Sequence, residues 1–387
     1  MYSLIMTIRM KDIAVRAGVS LSAVSLVLSG RRRQSISSET RERILAIVND
    51  LGYRPNRHAR TLATGLTNNL GVIISEISNP YFPEIIRNFE FAATASGFET
   101  QIVNTEYDQR RAAFSIRKMI DDRVCGIAIF TSQFEQELVD DIVRNHIPIV
   151  LVDPGPAGPW TSRITIDYAK GLEYLLGHLL DLGHRHFAAI VGPKEISSAK
   201  TYATNLKRIA KKKGLQLNQI LSCNYRHDGG MQSVSALVHD PNFPTAIFCA
   251  NDLIALGAIS ALEQAGMRVP QDVSIVGFDD IVFARLARPP LTTAAVPREE
   301  LGALAFQMIS RMISLKRPIG ESRVLTPELV IRESTAPPRV DPPLMTSSGH
   351  SHATQPASNP GKTGPQTLTR RKPASKTGRS IRSPQSR

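Results

Sequence analysis

Lys11-Asp12-Ile13-Ala14-Val15-Arg16-Ala17-Gly18-Val19-Ser20-Leu21-Ser22-Ala23-Val24-Ser25-Leu26-Val27-Leu28 is the stretch on which the reading turns. Ile13, Ala14 and Ala17 share one face of a first helix, Gly18-Val19 breaks the pattern, and Ser20 is placed to cap a second helix by accepting from first-turn N–H groups. Val24, Val27 and Leu28 give that second helix an inward face. Small Ala14 and the turn glycine let two short helices cross closely, so the spacing predicts a helix-turn-helix. Ser37 is placed to cap a third helix, with Glu39 near its positive end and Ile44, Ile47, Val48 and Leu51 at helical spacing before Gly52 ends it.

The charge of the 387-residue chain is concentrated at its ends. Of the net +13, residues 1–65 carry +7 (11 Lys/Arg against 4 Asp/Glu) and residues 336–387 carry +8 (9 against 1), while the middle holds 27 against 29. A basic head on a near-neutral body suits a polyanion partner, because lysines and arginines that neutralise phosphates release counterions. A solvated charged surface is the alternative that charge by itself leaves open.

Outward from the head, Tyr53-Arg54-Pro55-Asn56-Arg57-His58-Ala59-Arg60-Thr61-Leu62 is too short and polar to hold a helix alone and reads as a conditional linker. From Leu70 the texture becomes strand-length apolar runs separated by helical patterns: Gly71–Ser75, Thr100–Asn104, Gly126–Phe130 and Ile147–Asp153, then a second series at Ile164–Ile166, Phe187–Val191, Ala246–Ala250 and Ser274–Gly277. Such alternation predicts an α/β body of two subdomains, each a right-handed parallel sheet with helices on both faces, with ligands bound beyond the C-terminal strand ends. Beyond Thr335 the chain is Pro, Ser, Thr, Gly, Lys and Arg, a composition expected to stay disordered; Arg370-Arg371-Lys372 either adds non-specific DNA affinity or is solvated tail. The resulting division is 7–54 for the helix-turn-helix head, 55–69 for hinge and linker, 70–334 for the two-subdomain body and 335–387 for the tail.

Lys11-Asp12-Ile13-Ala14, Ala17-Gly18-Val19-Ser20 and Val24-Ser25 resemble the DNA-binding head of the LacI/GalR family of bacterial transcription regulators, and Tyr53-x-Pro55-Asn56-x-x-Ala59-Arg60-x-Leu62 resembles its hinge. The likeness continues through Ser78-Asn79-Pro80-Tyr81-Phe82, Gly183-His184-Arg185, Asn251 to Gly257, Val269 to Asp280 and Pro290-Leu291-Thr292-Thr293, covering about residues 7–334. The resemblance implies an N-terminal all-α head on a two-lobed, periplasmic-binding-protein-like body. It also implies a homodimer on a near-palindromic double-stranded operator, acting as a repressor whose occupancy a small molecule between the lobes modulates. On that template Ser20, Leu21, Ser22, Ser25 and Leu26 face the groove or phosphates, Tyr53, Asn56 and Ala59 belong to the DNA-contacting hinge, and Leu62 from each chain wedges into a minor-groove step. Many members carry arginine where this chain has Leu26; either Leu26 touches thymine methyls, making the readout more apolar, or it tucks into the head's own core.

For the effector, a sugar or nucleobase-like molecule, the resemblance points to Asp153, Asn251 and Asp279 as polar contacts and to Tyr81 and Phe82 as a stacking wall. The alternatives are a helix cap for Asn251 and a turn-capping pair for Asp279-Asp280. Tyr202 stands where sugar-binding relatives usually have an arginine and Asn205 where they have glycine, so a bidentate clamp is missing unless nearby Lys200 compensates. No leucine heptad follows the body to bundle dimers into tetramers, so a dimer is expected.

Other function classes fit less well. An exported binding protein would share the two-lobed body, yet Met1–Met6 lacks a basic lead and a long apolar stretch, and no apolar run approaches the about 18 residues of a membrane span, so a cytoplasmic protein without membrane contact is expected. Nine histidines accompany no phosphate-cradling glycine loop, serine elbow or metal-spaced cluster, so neither an enzyme nor a cofactor is expected. His184, after the helix-ending Gly183 and before a strand, reads as structural, and His58 as a hinge phosphate contact or simply exposed. Cys125, Cys223 and Cys249 form no C-x-x-C pair; Cys125 and Cys249 lie in apolar runs as reduced core thiols, with no metal or disulfide framework.

Overall fold

The computed structural model describes residues 8–28, 36–53, 67–131, 136–153, 158–215 and 217–339. The head contains α1 (Met10–Ala17), α2 (Leu21–Leu28) and α3 (Ser38–Asp50), closed on Ile13, Ala14, Ala17, Val24, Val27 and Ile44. Gly18 ends α1 in the left-handed region at φ +66, which costs a residue with a Cβ about 1–2 kcal/mol. Ser20 Oγ accepts from Ala23 N at 3.2 Å and Ser37 Oγ from Thr40 N at 3.2 Å, so both serine caps form as the spacing predicts.

The first lobe begins with β1 (Asn69–Ile74), α4 (Tyr81–Ala95), β2 (Glu99–Asn104), α5 (Gln109–Asp121), β3 (Gly126–Phe130), α6 (Gln136–Arg144), β4 (Ile149–Val152) and β5 (Thr161–Ile166). The second contains α7 (Tyr168–Asp181), β6 (Phe187–Val191), α8 (Ser197–Lys212), β7 (Leu217–Ser222), α9 (His227–Leu237), β8 (Ala246–Cys249), α10 (Asp252–Gln264), β9 (Ser274–Asp279), α11 (Val282–Leu286) and β10 (Thr292–Ala295). The chain then returns to the first lobe as α12 (Arg298–Leu315) and β11 (Ser322–Leu325), and ends in the second as β12 (Glu328–Val330).

The first sheet runs β11-β5-β4-β3-β1-β2, with every pairing parallel. The second runs β12-β10-β9-β8-β6-β7, with only β12 antiparallel. Alternate residues of the first sheet enter two cores, Leu70, Val72 and Ile74 on one face and Ile73, Ile127 and Ile129 on the other, as a sheet covered on both faces requires. In the second lobe Gly257 and Gly230 let α10 and α9 touch backbone to backbone, since a Cβ on either would meet the carbonyl of His227 or Ile254.

Two particulars depart from the reading of the sequence. The strand around Ile164–Ile166 belongs to the first sheet, because β5 pairs with β4 and β11 and the chain changes lobes only after it. Ordered contacts also run past Thr335: Ala336 N donates to Ser274 Oγ at 3.1 Å and Arg339 pairs with Asp272. Ala336 is held by a hydrogen bond to β9 and Arg339 by an ion pair just before that strand, contacts that composition does not register. The remaining tail, with Arg370-Arg371-Lys372, and the hinge positions Asn56, His58, Ala59 and Leu62 lie outside the described residues. Among the described residues no helix is long and apolar enough to cross a membrane, and no group of three or more His, Cys, Asp or Glu side chains is placed to hold a metal ion.

Candidate functional site

On α2 the inward residues are Val24 and Val27, while Ser20, Leu21, Ser22 and Ser25 are exposed and Leu26 is half-buried. Leu21 leaves 52% of its surface free and is not among the residues packed in the head's core. The hydroxyls of Ser20 and Ser22 lie 2.8 Å apart, so the start of the helix presents a polar cluster beside an apolar knob. Tyr53, half-buried against the head's core, follows the Gly52 turn and donates its backbone N–H to Val48 O at 3.0 Å.

Between the lobes lies a cleft with free space of about 100 Å³, and Tyr81, Phe82, Asp153, Tyr202, Asn251 and Asp279 all line it. Six positions spread over 199 residues of sequence therefore meet in one place because strand ends and helix starts of both sheets converge there. Asp153 follows β4 at φ +73 and Asp279 ends β9 at φ +108, conformations that turn both carboxylates out of their strands. Tyr81 opens α4 and packs edge-on against Phe82, with ring centres 5.2 Å apart.

The polar groups differ in what they leave free. Asn251 is a helix cap: its Oδ1 accepts from Ile254 N at 2.8 Å and its Nδ2 donates to Tyr225 O at 3.0 Å. Tyr202 is 3% exposed and its hydroxyl donates to Cys249 O at 3.2 Å, so it fills space where a clamp would reach into the cleft. Lys200 is exposed and is not among the lining residues. Asp279 and Asp280 diverge rather than cap one turn, since Asp280 pairs with Arg332 at 2.7 Å while Asp279 lines the cleft.

Asp153 Oδ2 accepts from Tyr168 Oη at 3.0 Å, whereas its Oδ1 is buried without a hydrogen-bond partner. Burial pushes its carboxyl up to about 6, against the opposing pull of the Tyr168 hydroxyl and the Ile166 backbone. Burial, reinforced by the charges of Asp252 and Asp153 and opposed by Arg298, holds the Asp279 carboxyl well above the usual carboxylate range. Behind it Asp252, fully buried, accepts from Thr293 Oγ1 at 2.6 Å and Ile281 N at 2.8 Å, and desolvation carries it to about 7.

Several contributors escaped the sequence reading. Tyr107, Tyr168 and Tyr225 also line the cleft, and burial raises all three phenols. At its mouth Tyr107 of the first lobe stacks on Tyr225 of the second, with centres 5.9 Å apart, and Glu76 meets Arg226 across the same gap with Nε to Oε2 at 3.1 Å. Burial pushes the Glu76 carboxyl up, but hydrogen bonds from Ser78 and Arg226 outweigh it and leave it below its ordinary value. Asp252 lies in the stretch Asn251 to Gly257 that carries the resemblance, which is a usable signal; the tyrosines come from loops and helix starts with no shared spacing. His184, by contrast, is structural as read: it is buried, with Nδ1 2.9 Å from Thr245 Oγ1 and Nε2 2.8 Å from Ala336 O.

Two family descriptions match the chain: "Bacterial regulatory proteins, lacI family" over residues 9–56 and "Periplasmic binding protein-like domain" over residues 176–335. The chain is 33% identical over 331 residues to the HTH-type transcriptional regulator DegA of Bacillus subtilis, covering 84% of this chain and 97% of that one. It is 32% identical over 327 residues to the HTH-type transcriptional repressor PurR of Photobacterium profundum, again 84% and 97%. Its structure is similar to that of the Lac repressor bound to ONPG in the repressed state, with TM-score 0.76, 25% identity, and 85% of this chain and 99% of that one covered.

Proposed function

The chain belongs to the lacI family of bacterial regulatory proteins, and on that premise we propose that it is a cytoplasmic transcription repressor, not an enzyme. It binds a near-palindromic operator as a homodimer, and a small molecule between its lobes modulates occupancy. The observation that carries this reading is the pairing of an exposed α2 face, Ser20 to Ser25, with a two-lobed body whose cleft gathers polar groups from both sheets. Each α2 enters a major groove, where Ser20, Leu21, Ser22, Ser25 and Leu26 contact bases or phosphates and Tyr53 steadies the exit toward the hinge. Asn56 and Ala59 continue the contact and Leu62 wedges into the minor groove.

Ordering a hinge on DNA costs about 2–5 kcal/mol, so a modest change in how the paired bodies hold the two hinges is enough to decide occupancy. The body supplies that change through the cleft. Tyr81, Phe82, Asp153 and Asp279 touch the effector, while Asn251 and Tyr202 hold the walls through the hydrogen bonds described above. For the second copy, α11 leaves Val282, Phe283 and Leu286 exposed, an apolar surface of the kind subunits cover. The test is selection of duplexes from a random pool by the purified full chain, with and without cell extract. Enrichment of one motif, altered by extract, is the expected result; equal, salt-sensitive retention of all duplexes would reduce the protein to a non-specific binder.

A further inference from the structure

Resting on that reading of the cleft, we infer that its effector is a small organic cation, a molecule whose protonated amine sits between Asp153 and Asp279 inside a ring of tyrosines. One carboxylate comes from each lobe, and among the described residues no lysine, arginine or histidine lines the cleft. The cation behind the wall is committed elsewhere. Arg298 binds Glu84 Oε2 through Nε at 2.7 Å and Nη2 at 2.6 Å, and donates to the backbone carbonyls of Asp279 and Asp280. Arg332 is held by Asp280, and Arg226 by Glu76 at the mouth.

Among the described residues no lysine, arginine or histidine hydrogen-bonds to the carboxylate of Asp153 or Asp279; Arg298 acts on Asp279 from behind the wall while held by Glu84, and both aspartates act on Tyr81 and Tyr168. The orphaned Oδ1 of Asp153 strengthens the case, because buried acceptors are nearly always satisfied and this one belongs to a residue that lines the cleft. Tyr81, Tyr107, Tyr168, Tyr202 and Tyr225 line the same cleft, and tyrosine rings are the groups that surround ammonium ions in aromatic cages. A neutral polyol would satisfy the orphan oxygen, yet it would leave either two like charges or two protonated acids facing each other across the cleft. An ammonium removes that conflict and returns the carboxyls, now raised by burial with Asp252 behind them, to their ionised form. The free space of about 100 Å³ falls short of the roughly 150 Å³ that takes a benzene-sized molecule. A small amine therefore fits between the lobes as they stand, and a larger one enters by parting Tyr107 from Tyr225 and Glu76 from Arg226.

The experiment is calorimetric titration of the full chain at pH 6.5 with pairs that exchange amine for hydroxyl: ethanolamine against ethylene glycol, 1,4-diaminobutane against 1,4-butanediol, and glucosamine against glucose. Running each in two buffers of different ionisation enthalpy counts protons. The inference requires at least one amine to bind on the order of tenfold or more tightly than its partner alcohol, with release of protons. Asp153→Asn and Asp279→Asn, checked for folding by thermal melting, should each erase the preference. Alcohols binding as well as amines, binding by none of the amines, or a preference that survives both variants would overturn it; the proton count on the unaltered chain stands even where a variant fails to fold. A protein that selects a DNA motif but ignores the amines defeats this inference alone, whereas one without sequence preference defeats the repressor reading whatever its cleft binds.

Discussion

Asp252→Asn should make the protein more stable at pH 8 than the unaltered chain. The carboxyl is fully buried, and its rise from 3.8 to about 7 means that the folded state holds a proton the unfolded chain gives up early. At about 1.4 kcal/mol per pH unit, ionised Asp252 costs the fold about 4 kcal/mol. Because the folded value lies above the unfolded one, the protonated carboxyl's contribution is fully present below about pH 4 and is lost as the pH climbs through about 7. Asparagine mimics the protonated acid: its oxygen takes the N–H of Ile281 and its amide donates to Thr293 Oγ1, which becomes the acceptor. The variant also removes a charge that helps raise Asp279. His178 and His184, lowered by burial, pull the other way below about pH 6.5 but do so in both proteins. Thermal melts from pH 5 to 8.5 should show the unaltered chain losing several degrees toward high pH relative to the variant. Parallel curves would mean that Asp252 is ionised without penalty, and the reasoning about the buried carboxylates would fail with it.

Gly18→Val places a β-branched residue at φ +66 and should cost the head about 1–2 kcal/mol; hydrogen exchange in α1 to α3 should rise and duplex binding weaken while the body's melting holds. Arg226→Ala leaves Glu76 buried at the cleft mouth without its partner. Since Arg226 is half exposed, the loss is on the order of 1 kcal/mol after screening, and it should shrink as the pH falls below the ordinary Glu value and Glu76 is protonated, measured by denaturant melts. Leu26→Arg introduces a bidentate fork on the reading face. It should shift the selected motif toward guanine at one position per half-site by about 1–3 kcal/mol, and an unchanged motif would show that residue 26 does not read bases.

The head was legible because its determinants are local. Capping serines, a turn glycine and the spacing of Ile13, Ala14, Ala17, Val24 and Val27 act within a few residues of one another, and all appear in the structure as read. The strand-helix alternation was legible for the same reason. Sheet membership was not: nothing within Ile164–Ile166 says which lobe it joins, since that is decided by pairing with β4 and with β11, far along the chain. Polar edge strands such as Ser322–Leu325 also escape, because only one of their four residues is buried.

In the cleft, the aspartates at strand ends could be located from the sequence, but the lack of a lysine or arginine among the described lining residues could not. That follows from where Arg298, Arg332 and Lys200 point, a matter of three-dimensional packing. Asn251 illustrates the limit most simply, for the same asparagine serves a cap or a ligand until the neighbouring N–H of Ile254 is placed 2.8 Å away.

The repressor reading rests on two heads acting together. Footprinting a duplex selected from the random pool, with the number of chains per duplex measured by light scattering on the same complex, examines that directly. Two chains protecting two half-sites related by a central dyad is the predicted outcome, and a single chain protecting one asymmetric site would contradict the account.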